Sequence, residues 1–533
     1  MLRVAEKTVA GNLVDRWTLL VWLAVGGFMF WGAGHYTVFD DEALSCRLYA
    51  MPMWDMLRAL WNGVDPDPPL YYLFENAWVH LVGVGPLALR SLSILIFLVG
   101  LIVMRRAAEA WFDRGIGLAT MILCALHPAH LFFGFAARWY SLMFLMVALL
   151  LWATACKHLG ARGQRKPTVL WILAAAGVCY TNYFGPVVVG MVWFVGLWRD
   201  HGNQAAVRHW IAAALGALLL QAPWLLPFCR QSQHFLSAGG GPMSMVATAA
   251  RTLMALTTGN LASVGAWWVW GPICVFAVAL MVLLVMRWRN VWPMAVVVAG
   301  CLAAGTLSRT MIDKYIMTFS GPACLLVAVV LVGVWREARG SVAGRWGRIM
   351  TAGLILGWAG CGVNLIRGSH WSSLRWFDPF EQAIGDLLAD ANTPPWMWAM
   401  THPSARYYFA NAMMKRDVDL RLVSTSGPEL WRRHAVPPDE GPAGHWAVVG
   451  TAETVLAQLE KDPLPEVVTL ETTGFVNLPD WAALHNVLER SYVMTDERSY
   501  LRDPDAAWKD YLDPGVRHPK YRIVVRRWML KER

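Results

Sequence analysis

The stretch HYTVFDDEALSCRLYAMPMWDMLRALWNGVDPDPPLYYLFENAWVHLVGVGPLALR, residues 35–90, decides how the whole chain is read. It leaves one apolar run at 17–34 and meets another at 87–104, and its own apolar part, PPLYYLFENAWVHLV at 68–82, is long enough to raise the question of a further crossing. The flanking charges answer it. Arg3, Lys7 and Arg16 precede the first run, and Arg105, Arg106 and Arg114 follow the run at 87–104. With 68–82 lying on the surface, both groups fall on the side that the positive-inside rule assigns to the cytoplasm; a crossing there would invert every later connection. The stretch is therefore expected to form an outer loop, 35–86, that returns to the membrane without traversing it.

Carried onward, this reading gives eleven spans near 17–34, 87–104, 115–133, 139–156, 168–182, 183–198, 210–228, 266–286, 292–307, 315–335 and 349–366. Alternate connections carry Lys157, Arg162, Arg165 and Lys166, then Arg199 and Arg208, then Arg287 and Arg289, then Arg336, Arg339, Arg345 and Arg348. An odd number of spans with the N-terminus inside puts everything after the last one outside. No small-residue cleavage site follows Gly34, so the first run reads as a retained helix.

Composition agrees. Of 533 residues, 56% are hydrophobic and 31 are Trp, which excludes an ordinary soluble protein. The net charge of +9 comes from basic residues spaced between apolar runs rather than gathered into a patch, so nucleic acid is not an expected partner. From Arg367 the composition becomes that of a soluble domain, 367–533, with strand-like WMWAMT, DLRLVS, HWAVVG, EVVTLE and YRIVVRRWML alternating with helical PSARYYFANAMM and AETVLAQLEK. That alternation predicts a small α/β domain with a largely parallel sheet. It carries no glycine-rich phosphate loop and no cysteine framework. The expected fold is thus a polytopic α-helical membrane domain, 1–366, followed by an extracytoplasmic α/β domain.

Three groups of residues have chemistry to offer. Asp40, Asp41 and Glu42 open the outer loop at the boundary of lipid headgroups and water, where a carboxylate is costly unless used; one can act as general base toward an acceptor hydroxyl or amine. The bland alternative is a solvated helix start, where acidic side chains suit the dipole. Asp65 and Asp67 add a second acidic pair in DPDPP, a segment that turn formation alone also explains. Met53, Trp54, Leu57, Leu60 and Trp61 recur at one helical face after Pro52, as in a helix lying flat in the interface. Arg138, Arg309 and Lys314 are basic on the outer side, where few basic residues are expected, and suit a phosphate or pyrophosphate; snorkelling to headgroups is the alternative. Tyr140, Tyr180, Asn182 and Tyr183 lie at outer helix ends and can hydrogen-bond a sugar, as well as furnish an aromatic belt; Tyr71 and Tyr72 on the outer loop are of the type that prefers the headgroup level, and they, Asp67 and Tyr315 are further candidates for substrate contact. The acidic triplet has the chemistry to hold a divalent cation.

Taken in order, the DE pair after the first span, PPLYY on the outer loop, ARWYSL at the fourth span, YTNYFGP between the fifth and sixth, and Lys314-Tyr315 opening a late span resemble the bacterial GT-C glycosyltransferases. The similar branch includes protein O-mannosyltransferases and lipid A aminoarabinose transferases. The resemblance covers roughly the first 335 residues. It implies transfer of a sugar from a polyprenyl-phosphate-linked donor to a cell-envelope acceptor at the outer face of a bacterial inner membrane, inverting at the anomeric carbon. It places the base on Asp41, with Glu42 beside it, and phosphate-binding cations on Arg138 and Lys314, and it requires no metal. The chain departs from the pattern where the family often has His-Pro-Pro at Asp67-Pro68-Pro69, Glu at Ala136, His at Asn182 and Arg at Lys314. A lipid or polysaccharide transporter is the competing reading. It is disfavoured because the charges gather at one face and no repeated half is evident.

Overall fold

A computed structural model of the chain describes residues 15–36, 38, 40–65, 67–159, 165–237, 245–259, 270–286, 288–308, 313–337 and 342–367, and in the C-terminal part 383, 386, 396–399, 421–424, 466–472, 486–501 and 522–531. The chain divides into two compact units. Met1–Gly34, Leu60–Val82 and Leu87–His370 form the first; His35–Ala59, Gly83–Pro86 and Trp371–Arg533 form the second. The outer loop, expected to belong wholly to the membrane part, is divided between them.

The first unit is helical. Its helices are α1 (Arg16–His35), α4 (Leu70–Val82), α5 (Pro86–Trp111), α6 (Arg114–Leu126), α7 (Pro128–Phe133), α8 (Tyr140–Leu159), α9 (Arg165–Thr181), α10 (Gly185–Arg199), α11 (Gln204–Gln221), α12 (Leu225–Ser237), α13 (Met245–Thr258), α14 (Trp270–Met286), α15 (Trp288–Ser308), α16 (Ser320–Glu337) and α17 (Val342–Arg367). Two further helices, α2 (Asp40–Ala50) and α3 (Met53–Trp61), cover the segment where the units meet in sequence. Helices overlap the expected spans, with differences: 115–133 is divided at the extended His127 into α6 and α7, 210–228 runs from α11 through a 3-10 turn at Ala222–Trp224 into α12, and 266–269 lie outside the described residues. Among the described residues, Arg16–His35, Pro86–Trp111, Tyr140–Lys157 and Gln204–Gln231 are long and apolar enough to cross a membrane, and shorter apolar helices accompany them. The architecture is that of a helical membrane protein.

Boundaries follow from capping chemistry. Asp113 starts α6 by accepting from the amides of Gly115 and Ile116, and Asn203 starts α11 through Ala206 N. Pro128 sits at the first turn of α7, where its missing N–H costs nothing. Helix packing relies on small residues: a Cβ on Gly271 of α14 would stand 2.7 Å from the carbonyl oxygen of Gly353 in α17, so backbone meets backbone there. Gly259 has φ +62, and a Cβ would lie 2.5 Å from Ala129 N.

The helix ends expected to face the cytoplasm are tied by ion pairs. Arg105, 5% exposed at its side chain, holds Asp15 at 2.7 Å and Glu109 at 2.8 Å and also donates to the Thr18 hydroxyl. Arg106 shares Glu109 at 2.9 Å, and Arg336 of α16 reaches Asp113 at 2.5 Å. Arg105 holds the Asp15 carboxyl well below the usual carboxylate range, and Arg336 lowers Asp113 in the same sense.

In the second unit, β1 (Trp396–Ala399), β2 (Arg421–Ser424), β3 (Glu466–Thr472), β4 (Tyr492–Leu501) and β5 (Arg522–Leu530) form one sheet in the order β2-β1-β3-β5-β4. β1 runs parallel to β2 and β3, whereas β5 is antiparallel to β3 and β4. The sheet is mixed, which corrects the largely parallel expectation. β4 was not foreseen, because TDERS interrupts its apolar pattern; among the described strands it lies at the edge, paired with β5 on one side, and carries those charges toward water. Glu497 of β4 pairs with Arg526 of β5 at 2.7 Å. Val467, Val468, Val524, Val525 and Trp528 are buried, and the Trp528 indole donates to Thr469 at 3.2 Å. HWAVVG and the two helical patterns of this region lie outside the described residues.

Candidate functional site

The site grows from the turn between α3 and α4. Gly63, with φ +79, reverses the chain after α3, and its amide donates to Leu60 O at 3.0 Å. Pro68 and Pro69 then set the chain to enter α4, whose first turn is closed by Leu73 N donating to Pro69 O. Asp65 and Asp67 are thereby presented on a short segment between two helices.

Arg138 meets them from the other side. It follows a tight turn, with its own amide donating to Ala136 O at 2.7 Å, and stands just before α8. Nη1 donates to Asp65 Oδ2 at 2.8 Å and to the Tyr72 hydroxyl at 3.3 Å; Nη2 donates to Asp67 Oδ2 at 2.5 Å. Arg138 is 5% exposed at its side chain and each aspartate 12%. The other oxygen of Asp67 faces Asn182 Nδ2 at 3.5 Å, and Asn182 Oδ1 in turn accepts from Phe184 N at 2.9 Å. One cation thus sits between two carboxylates in a buried cluster joined to the end of α9. Five of the residues singled out in sequence, Asp65, Asp67, Tyr72, Arg138 and Asn182, converge here.

The remaining tyrosines are placed differently. Tyr71 is fully buried and hydrogen-bonds Glu75 Oε2 and Ser93 Oγ, both at 2.8 Å. The Tyr183 hydroxyl donates to Gln231 Oε1 and accepts from the Trp224 indole at 3.2 Å, so it is engaged with protein groups. Tyr140 is buried edge-on to Phe133 and Trp139, and Tyr315 stacks on Trp139 with ring centroids 5.8 Å apart. Glu75, Ser93 and Gln231 escaped the sequence reading. Glu75 did leave a signal: a carboxylate four residues after Tyr71 on one face of an apolar helix. Ser93 and Gln231 left none.

Asp40 and Asp41 begin α2, and Glu42 after them is buried. The side chains of Asp40, Asp41 and Lys314, and the whole of Arg309, lie outside the described residues. Lys314 belongs to the 3-10 turn Asp313–Thr318 ahead of α16. Among the described residues no group of three His, Cys, Asp or Glu side chains is arranged to hold a metal ion.

His127 and His130 form a second buried cluster. His127 Nδ1 accepts from Ala129 N at 3.2 Å, so Nε2 carries the proton donated to Leu256 O at 2.7 Å. His130 Nδ1 donates to Cys124 O and Nε2 accepts from Ser320 Oγ, each at 2.6 Å. Both rings are neutral struts between helices, with no lone pair left over for a metal.

No family model matches the chain, and no curated protein matches it in sequence. Among solved structures, the chain is similar to ArnT from Cupriavidus metallidurans bound to undecaprenyl phosphate, at 14% identity and a TM-score of 0.59, covering 95% of this chain and 97% of that one. The apo state of the same protein gives 15% identity and a TM-score of 0.60 over the same shares. The fold is therefore that of the GT-C glycosyltransferases, along nearly the full length of both chains.

Proposed function

We propose that the chain is an integral-membrane glycosyltransferase that moves a sugar from a polyprenyl-phosphate-linked donor to a cell-envelope acceptor, inverting at the anomeric carbon, at the extracytoplasmic face. The observation that carries this reading is a buried carboxylate–arginine cluster at the mouth of an outer loop, in a fold shared end to end with a protein that binds undecaprenyl phosphate. A buried cluster of this kind is expensive to assemble and is found where chemistry or recognition needs fixed charge.

In this account Asp41 is the base, flanked by Asp40 and Glu42, and takes the proton of the acceptor hydroxyl or amine as its oxygen or nitrogen attacks the anomeric carbon. The bond from that carbon to the phosphate oxygen breaks, and polyprenyl phosphate leaves as an anion stabilised by Lys314 and Arg309. Arg138 already has both its amino groups on carboxylates. It reaches the phosphate only by exchanging one aspartate for a phosphate oxygen, and otherwise holds Asp65 and Asp67 in place for the sugar. Tyr72 and Asn182, at the edge of the cluster, are proposed sugar contacts; Tyr71, Tyr140, Tyr183 and Tyr315 support them from behind. Eleven spans with the N-terminus cytoplasmic and residues 367–533 periplasmic complete the proposed arrangement.

The test is a transfer assay in proteoliposomes supplied with polyprenyl-phosphate sugars. Free polyprenyl phosphate appearing with a product of inverted anomeric configuration supports the proposal. Movement of intact lipid-linked sugar between leaflets, with no bond cleaved, supports the transporter instead.

A further inference from the structure

We propose that Gln231 is a positioning residue that fastens the turn bearing Asp65 and Asp67, an assignment that rests on the glycosyltransferase reading above. Gln231 stands on α12, beyond the apolar run that precedes it, and is 3% exposed. Its Nε2 donates to Leu60 O at 2.7 Å, and its Oε1 accepts from the Tyr183 hydroxyl.

Leu60 lies in the last turn of α3, where main-chain carbonyls have no partner within the helix. Its oxygen accepts twice, from Gly63 N at 3.0 Å and from Gln231 at 2.7 Å. The first bond closes the turn and the second ties that turn to α12. A Cβ on Gly63 would stand 3.6 Å from Gln231 Cγ, so the amide side chain lies directly against the turn. Tyr183 completes a ring of contacts: it accepts from the Trp224 indole at 3.2 Å, and Trp224 packs edge-on against Trp61 with centroids 5.7 Å apart. Tyr183 also follows Asn182, which faces Asp67. The turn is thus anchored at its start by Gln231 and at its end by Arg138. Between Leu60 and the DPDPP segment lie only Trp61, Asn62, Gly63 and Val64. Losing the first anchor lets the carboxylates shift relative to Arg138, and a displacement of about 1 Å at a reacting centre costs up to about a hundredfold in rate.

The full-length protein in lipid nanodiscs, as wild type, Gln231→Ala, Gln231→Glu and Tyr183→Phe, is followed by amide hydrogen exchange over residues 60–67 and by transfer kinetics with a polyprenyl-phosphate sugar. Gln231→Ala loses the donor to Leu60, and Gln231→Glu loses it once its carboxyl ionises, since an ionised glutamate only accepts; where the bond is lost, exchange in this segment is expected to speed up by about fivefold, as one net hydrogen bond would. kcat falls by about tenfold or more while KM for the donor lipid stays within about twofold of wild type. Tyr183→Phe, which leaves the Leu60 bond intact, gives a smaller change in the same direction. Unaltered exchange in Gln231→Ala overturns the proposal, and so does faster exchange with unchanged kcat, which makes the contact merely structural. A wild type that exchanges normally but transfers from no polyprenyl-phosphate donor removes the glycosyltransferase reading itself, and the positioning role with it.

Discussion

Replacing Arg138 by Gln tests whether the buried cluster is the electrostatic unit described. The change removes one charge from between two carboxylates whose side chains are each 12% exposed. Two routes give the cost. Breaking a buried ion pair by removing one partner costs about 3–5 kcal/mol. Counting bonds instead, two charge-assisted hydrogen bonds at about 1.5–3 kcal/mol each give about 3–6 kcal/mol. The overlap, about 3–5 kcal/mol, is far above the 0–1 kcal/mol of an exposed pair. Neutralising one leftover charge should return part of it, so Arg138→Gln combined with Asp67→Asn is expected to be more stable than Arg138→Gln alone. Denaturant titration of the four proteins of this double-mutant cycle in mixed micelles measures both quantities. A loss below about 1 kcal/mol for Arg138→Gln, or strictly additive single changes, refutes the reasoning.

Three other outcomes follow from the geometry. Gly271→Leu must force α14 from α17, because the new Cβ meets the Gly353 carbonyl at 2.7 Å, and should cost about 1–3 kcal/mol in thermal or chemical unfolding, while Gly362→Leu, with nothing within 4 Å of its Cβ position, should be nearly neutral. His130→Ala should cost about 3 kcal/mol in the same assay, since it leaves a cavity and strands the Cys124 carbonyl and Ser320 hydroxyl. Asp113 is lowered by Arg336 from its ordinary value of 3.8, so the pair's contribution is present above that pH and is lost as pH falls through the lower folded value. Asp113→Asn should therefore flatten the acid limb of the stability curve below about pH 4, by a small amount because both side chains are well exposed.

Much of the helical fold was legible because apolar runs and alternating loop charges report directly on what lipid and membrane potential require. Helices overlap the expected spans, although 115–133 is divided at His127, and the 68–82 stretch forms α4, a helix of thirteen residues that keeps Tyr71, Tyr72 and Glu75 buried. The sheet was less legible. Strand existence at 396–399, 421–424, 466–472 and 522–530 follows from local pattern, but parallel or antiparallel pairing depends on connections that local pattern does not encode. The site divides in the same way. Arg138, Asp67 and Asn182 stood out because polar residues at an apolar boundary are costly. Their mutual pairing did not, since it joins positions 65, 67, 138 and 182, which only the tertiary fold brings together. Gln231 was invisible for a related reason: an uncharged side chain in mid-helix has no signature until the carbonyl it serves is known.

The central claim is that a carboxylate at the start of the outer loop takes the acceptor proton. Asp41→Asn, compared with wild type for sugar transfer from a polyprenyl-phosphate donor and separately for binding of that donor, tests it most directly. The account predicts a rate lower by about 10²–10⁴-fold with donor binding retained. Transfer at the wild-type rate by the Asp41→Asn protein would contradict it.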